Sequence, residues 1–319
     1  MNSDHRLGLE LIFKEINSMQ KKVVPIYQIP DFDSSSVDPN EFYYSRLDKH
    51  LQKHKFIQNP HKHDFYIVLL FTEGTGTHTI DFQTHAVDPG TLFFLVPGQV
   101  HSWDLSKDAN GYILFFSSAF YTSVFTVERF NKFSFFHSNL STPIAHLQKD
   151  ELIEFTSYFK KINSEVNHPQ LETHHLLKNY IDILLTLALR AYLIQYPVLL
   201  KQKATYSSFK KLEHLISNHF TLHREASFYA EGMNMSLKQL NTVTKKAVGK
   251  TVSQLIFDRI ILEAKRLLVH SDISISEISF RLKFDDPSYF SRLFKKKTSF
   301  PPEEFRLKNQ HMNADHSHN

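Results

Sequence analysis

The stretch Ser274-Ile-Ser-Glu-Ile-Ser-Phe-Arg-Leu-Lys-Phe-Asp-Asp-Pro-Ser-Tyr-Phe-Ser-Arg-Leu-Phe-Lys-Lys-Lys297 decides how the rest of the chain is read. Ser274 offers a side-chain oxygen to cap a helix over residues 275–282. Asp285 or Asp286 can cap a second helix over 287–297, where Pro287 sits in the first turn and its missing N–H costs nothing. Residues 283–286 then form a tight turn between two short helices. The same pattern lies earlier, with a supporting helix over 226–231, a turn over 232–235 and a second helix over 236–248. Ser236 suits its N-cap, and Asn234 tolerates the positive φ that such a turn needs. Between the two, residues 252–270 place Ile256, Ile260, Ala264 and Leu267 or Leu268 on one face of a long amphipathic helix. No repeat shows as sequence identity, yet two helix-turn-helix patterns overlay.

Charge points the same way. From Ala204 onward the chain has 18 Lys and Arg against 12 Asp and Glu, a net of +6, and the remainder carries −2. A basic C-terminal third is the electrostatic footprint of a phosphate-binding module. At 319 residues the chain is long enough for two domains, and 41% hydrophobic with 22% charged residues is ordinary for a globular protein. The 29 Phe point to aromatic packing in the core. The absence of Cys excludes disulfides, thiolate metal sites and a cysteine nucleophile, and fits a cytoplasmic location. The charged first ten residues do not look like an export signal. The longest apolar run, 181–196, contains Asp182 and Arg190 and falls short of the roughly 20 residues that span a bilayer, so no membrane partner is expected.

Ahead of the basic third, residues 7–19 read as a helix and 30–40 as turn-rich. From 65 to 116 short apolar runs (65–71, 76–82, 91–96, 112–116) alternate with Glu73-Gly74, Asp88-Pro89-Gly90 and Pro97-Gly98, the texture of a small antiparallel barrel or sandwich. Residues 150–167 carry Leu152, Phe155, Phe159 and Ile162 at helical spacing. Residues 171–196 carry two apolar seams: Leu177, Ile181, Leu184, Ala188 and Ala191, and beside them Leu176, Tyr180, Ile183 and Leu187. Both seams can pack within one subunit, or the second can meet another copy. Residues 198–207 read as a linker.

Over residues 209–306 the chain resembles the AraC-type bacterial transcription regulators. The stretches that carry the likeness are Arg259-Ile-Ile-Leu-Glu-Ala-Lys-Arg-Leu-Leu268, Ser274-Ile-Ser-Glu-Ile-Ser279, Phe284-Asp-Asp-Pro-Ser-Tyr-Phe-Ser-Arg-Leu-Phe-Lys-Lys296 and Pro302-Glu-Glu-Phe-Arg306. The resemblance implies two recognition helices laid in successive major-groove segments of double-stranded DNA. By position, Lys238, Asn241, Thr242 and Lys245 of the first face the groove, as do Ser288, Tyr289, Arg292 and Lys295 of the second. Arg292 then addresses a guanine edge and Asn241 an adenine, while Lys245 and Lys295 meet phosphates. Leu240, Phe290, Leu293 and Phe294 are core. Two departures stand out: Thr242 where the family commonly has a basic residue, and Lys283 where it commonly has Gly. A positive φ at Lys283 would cost on the order of 1 kcal/mol.

Residues 60–116 resemble the cupin barrel that such regulators often carry. The carrying residues are His61-Lys-His63, Gly74-Thr-Gly76, Pro89-Gly90 and Pro97-Gly-Gln-Val-His101. In metal-binding cupins a Glu joins the histidines, but Ile67 and Val68 stand in its place. Three imidazoles can still hold zinc or iron. They can instead contact a small effector or serve the core, as can Tyr66, Phe82 and Trp103. The effector reading is taken for His61, His63 and His101, with no metal and no cofactor assigned.

The expected architecture is α+β: a cupin-like effector-sensing β-barrel over 1–147, a helical dimerisation segment and linker over 148–203, an all-α DNA-binding domain with two helix-turn-helix motifs over 204–308, and a disordered tail over 309–319. The function implied is a transcription regulator, not an enzyme, acting as a homodimer with DNA, an effector and RNA polymerase as partners. The rival is a metal-dependent cupin enzyme with an accessory helical domain.

Overall fold

The computed structural model of the chain describes residues 24–32, 37–136, 142–197 and 203–314, so the helix expected over 7–19 lies outside it. The described chain divides into two compact units, one spanning Pro25–Arg259 and the other beginning at Ile260.

The first unit opens with strands β1 (Ile26–Tyr27), β2 (Phe42–Arg46), β3 (Lys62–His63), β4 (Tyr66–Glu73), β5 (Gly76–Ile80), β6 (Gln83–Val87), β7 (Thr91–Leu95), β8 (His101–Leu105), β9 (Asn110–Phe116) and β10 (Ile144–His146). They form a five-stranded sheet ordered β10-β7-β4-β9-β2, a three-stranded sheet β6-β5-β8 and the parallel pair β1-β3. The β-rich domain expected from the sequence is thus built of separate sheets that share a core. β6 and β8 were not foreseen, because their polar and charged residues hid the strand pattern.

The five-stranded sheet is buried on both faces, which is why its strands read as unbroken apolar runs. Successive side chains alternate sides. Ile67, Leu69, Phe93, Leu95, Ile113 and Phe115 join Ile80 and Val87 of the small sheet in one core. Val68, Leu70, Leu92, Phe94, Leu114 and Phe116 join the helical residues in the other. Gly111 lets β9 approach β4 at its bulge, since a Cβ there would lie 1.9 Å from the Leu70 carbonyl oxygen.

Two helices, α4 (Lys149–Asn167) and α5 (Thr173–Gln195), cover the second face; α1 (Leu47–Lys53), α2 (Ser118–Thr122) and α3 (Val127–Phe130) precede them. Phe159 of α4 stacks on Tyr112 at 5.0 Å. The first seam of α5, Leu177 to Ala191, is buried within the subunit. Its second seam, Leu176, Tyr180, Ile183 and Leu187, is only half-buried. Asp182, the acid that interrupts this apolar helix, has a structural use. Arg129 of α3 donates to it through Nε and Nη2 at 2.9 and 2.8 Å and to Thr186 at 2.7 Å, and the Tyr121 hydroxyl donates to the same carboxylate.

The next helix, α6 (Lys203–His219), begins inside the stretch expected to be linker. Lys210 Nζ donates to the Asn131 carbonyl at 2.7 Å. Burial lowers this ammonium to about 7 and raises the neighbouring Glu213 carboxyl to about 8. Helices α7 (Ala226–Gly232), α8 (Leu237–Val248) and α9 (Val252–His270) follow, the unit boundary falling within α9. The second unit continues with α10 (Ile275–Arg281), α11 (Pro287–Thr298) and α12 (Pro302–Ala314). α12 carries helix six residues into the stretch expected to be a disordered tail, up to Ala314.

Candidate nucleic-acid interface and histidine cluster

The two helix-turn-helix motifs are built alike, one in each unit. In the first, Ser236 Oγ accepts from the Gln239 N–H at 3.2 Å while Gln239 Oε1 accepts from the Ser236 N–H at 2.9 Å, a capping box that starts α8. In the second, Asp286 Oδ1 accepts from the Ser288 N–H at 2.8 Å ahead of Pro287 and starts α11. Each turn closes through the same bond, Met235 N–H to the Ala230 carbonyl and Phe284 N–H to the Ser279 carbonyl, both at 2.9 Å. Each holds one left-handed residue, Asn234 at φ 53 and Lys283 at φ 59. Lys283 thus keeps the positive φ of the turn although it is not a glycine. The second turn is one residue longer, with 282–286 between its helices against 233–236 in the first.

Each second helix buries two residues four apart, Leu240 and Thr244 in α8 and Phe290 and Phe294 in α11. That leaves the opposite face exposed. Lys238, Thr242 and Lys245 run along it in α8, and Ser288, Arg292 and Lys295 occupy the matching positions in α11, with Tyr289 beside them. Lys246, Lys296 and Lys297 are also exposed and add to the basic face; the run of consecutive Lys was the signal for them. Arg292 lies 3.6 Å from Asp286, but both are largely exposed and the pair is weak. Leu293, expected in the core, is half-buried.

Asn241 departs from expectation. It is half-buried, and its Oδ1 accepts from the Val252 N–H at 3.0 Å. Pairing with adenine uses that oxygen together with the amide N–H, and here the oxygen is engaged by the internal bond.

In the β-rich domain the sequence-predicted His61, His63 and His101 do converge. Their rings lie 4.3 to 5.0 Å apart, each is nearly or fully buried, and one ring nitrogen from each falls within 4.8 Å of the others. The sequence reading missed His78 of β5, whose Nε2 pairs with His101 Nδ1 at 2.8 Å; His101 Nε2 pairs in turn with His63 Nε2 at 2.8 Å. The alternation along β5, which turns His78 and Ile80 inward, was the available signal. His50 and His54 meet the Tyr43 hydroxyl on the same side of the core.

Burial holds these imidazoles neutral, with His61 pushed down to about 4, His78 to about 3, and His63 and His101 well below the ordinary value. A neutral imidazole has one donor and one acceptor. Whichever way the His63-His101-His78 chain is polarised, it ends in one bare N–H and one bare lone pair, at the unpartnered His63 Nδ1 and His78 Nδ1.

The group that could hold a metal, His61, His63 and His101, is made of imidazoles alone, without the carboxylate that metal-binding cupins add. Ile67 and Val68, at the family's carboxylate position, are buried in the two cores.

Residues 229–308 match the helix-turn-helix domain family, and residues 41–125 match the AraC-like ligand binding domain family. The HTH-type transcriptional activator RhaS of Escherichia coli (strain SE11) is 24% identical over 261 residues, covering 77% of this chain and 86% of the relative. Among solved structures, ToxT from Vibrio cholerae aligns over 84% of this chain and 98% of its own, at 11% identity and a TM-score of 0.37. The C-terminal domain of AraT, a response regulator from Geobacillus stearothermophilus, aligns over 32% and 84% at 28% identity and a TM-score of 0.29. Among the described residues no helix is long and apolar enough to cross a membrane.

Proposed function

Because this chain belongs to the AraC-type transcription regulators, pairing an AraC-like ligand-binding domain with a helix-turn-helix DNA-binding domain, we propose that it acts in the cytoplasm as a homodimer. In this reading α8 and α11 enter the major groove, and a small effector in the β-rich domain changes how DNA is engaged. The observation that carries the DNA contacts is the match between the two helices. Lys238, Thr242 and Lys245 repeat as Ser288, Arg292 and Lys295 on exposed faces, opposite buried residues at equal spacing. Arg292 has the planar fork for a guanine edge, and the lysines are point charges for phosphates.

The half-buried second seam of α5 supports a dimer contact there. The relative's description as an activator supports transcriptional activation through RNA polymerase. The rival, a metal-dependent enzyme, loses support from the carboxylate-free histidine set and leaves the basic helices without a use.

Effector contact falls to His61, His63 and His101, now with His78. What supports it is the pair of buried, unpartnered nitrogens, one a donor and one an acceptor in either tautomer, which hydroxyl groups satisfy equally well. Trp103, the chain's one tryptophan, has its ring 5.3 Å from that of His101 and 5.6 Å from that of His78. Its fluorescence should therefore respond to an effector. Two measurements test the proposal: binding of the full chain to its own upstream DNA, which should weaken with added salt, and a screen of small polar metabolites by Trp103 fluorescence. Salt-insensitive or absent DNA binding refutes the first part, and a fluorescence signal that moves only with ligands that leave DNA binding unaltered refutes the second.

A further inference from the structure

An amide on the face of a recognition helix invites a base-reading role, but Asn241 has a different use. The first N–H groups of a helix lack intrahelical partners. In α9, Thr251 Oγ1 accepts from the Gln254 N–H at 3.3 Å while Gln254 Oε1 accepts from the Thr251 N–H at 2.8 Å, so the local capping box serves those two groups. The Val252 N–H remains. Val252 is fully buried, so water does not reach it, and an unmet N–H there is costly. Its acceptor is Asn241 Oδ1 at 3.0 Å, supplied from α8, eleven residues earlier.

The other end of α9 is fastened in a parallel way. Arg306 of α12 donates through Nε to the Leu268 carbonyl at 3.2 Å and through Nη2 to the Ile273 carbonyl at 2.6 Å, just ahead of the Ser274 cap of α10. The preceding residue, Phe305, sets its ring 5.4 Å from Phe294 of α11. A cation at a helix C-terminus also meets the negative end of the dipole.

We propose that Asn241 and Arg306 are positioning residues that seat each recognition helix on its own end of α9, and that neither contacts DNA. The proposal rests on the DNA-binding reading; if that reading fails, the unaltered protein shows no DNA binding, whereas failure here appears only in the variants.

Asn241→Asp separates the roles, since a carboxylate keeps the acceptor and suits a helix N-terminus but cannot donate to adenine. Measured on the full chain, Asn241→Ala should speed hydrogen exchange at the Val252 amide about five- to tenfold, the loss expected of one cap, while Asn241→Asp should keep the parental rate. Across a randomised operator library, Asn241→Asp should keep every base preference. Arg306→Ala should lower affinity with the salt slope unchanged, and Arg306→Lys, which lacks the fork, should not restore it. Unchanged Val252 exchange in Asn241→Ala, or a base preference lost in Asn241→Asp, overturns the role of Asn241. A salt slope reduced by about one in Arg306→Ala marks a phosphate contact and overturns the role of Arg306.

Discussion

Gly249 and Ser299 hold the same place, one residue past α8 and α11, and both are left-handed with φ 70. Each closes its helix by an N–H bond back to a lysine carbonyl, Gly249 to Lys245 at 3.0 Å and Ser299 to Lys295 at 2.8 Å. The chain therefore contains its own comparison of a glycine and a side-chain-bearing residue in one conformation. A Cβ added to Gly249 would meet nothing within 4 Å, so Gly249→Ala changes only backbone preference. The left-handed conformation costs an L-residue about 1–2 kcal/mol, and the lower entropy of the unfolded Ala chain returns about 0.4–1 kcal/mol. The net expectation is a loss of about 0.5–1 kcal/mol at the end of α8, and Ser299→Gly should stabilise the end of α11 by a similar amount. Hydrogen exchange in the full chain reads both directly. Amides of the last turn of α8 should exchange about two- to fivefold faster in Gly249→Ala, and those of α11 slower by a like factor in Ser299→Gly. Slower exchange in the first variant, or faster in the second, would refute the argument. Lys245 and Lys295 stand in these same turns, so fraying there also moves the expected phosphate contacts.

Arg292→Ala should cost about 1–3 kcal/mol in DNA binding and relax preference at one base pair, whereas Lys295→Ala should weaken all sequences alike and reduce the salt slope by about one; library binding with unchanged preferences for Arg292→Ala would remove its base-reading role. The histidine cluster makes stability fall with acid. The unfolded chain binds protons on these imidazoles near the ordinary 6.5, and the folded chain does not until about 4 at His61 and about 3 at His78. Their contribution is thus intact above 6.5 and drops on the order of 1.4 kcal/mol per pH unit per histidine as pH falls from there towards the folded values. Melting followed by Trp103 fluorescence between pH 7 and about 5 checks this, and a flat profile contradicts it. Ile183→Glu, in the half-buried seam of α5, should convert dimers to monomers in sedimentation, whereas Leu184→Glu, in the buried seam, should unfold the domain; a parental chain that sediments as a monomer at micromolar concentration ends the dimer proposal.

The amino-acid sequence by itself determined what rests on local rules. Caps at Ser236 and Ser274, the proline of α11, the left-handed turn residues and the amphipathic period of α9 are each decided within a few residues, so the helix-turn-helix motifs were legible with boundaries within a residue or so. The short apolar runs punctuated by Gly and Pro likewise announced a β-rich domain, while burial of its larger sheet on both faces came from the structure. What required the tertiary structure were contacts between residues distant in sequence. His78 meets His101 across 23 positions, and Arg129 grips Asp182 across 53, pairings that no local pattern records. Asn241 shows the division most clearly. Its place on a recognition helix follows from local sequence, but its half-burial and the direction of its oxygen are set by a buried N–H on another helix. A buried donor must be satisfied wherever the acceptor comes from, and only the packed structure decides which side chain supplies it.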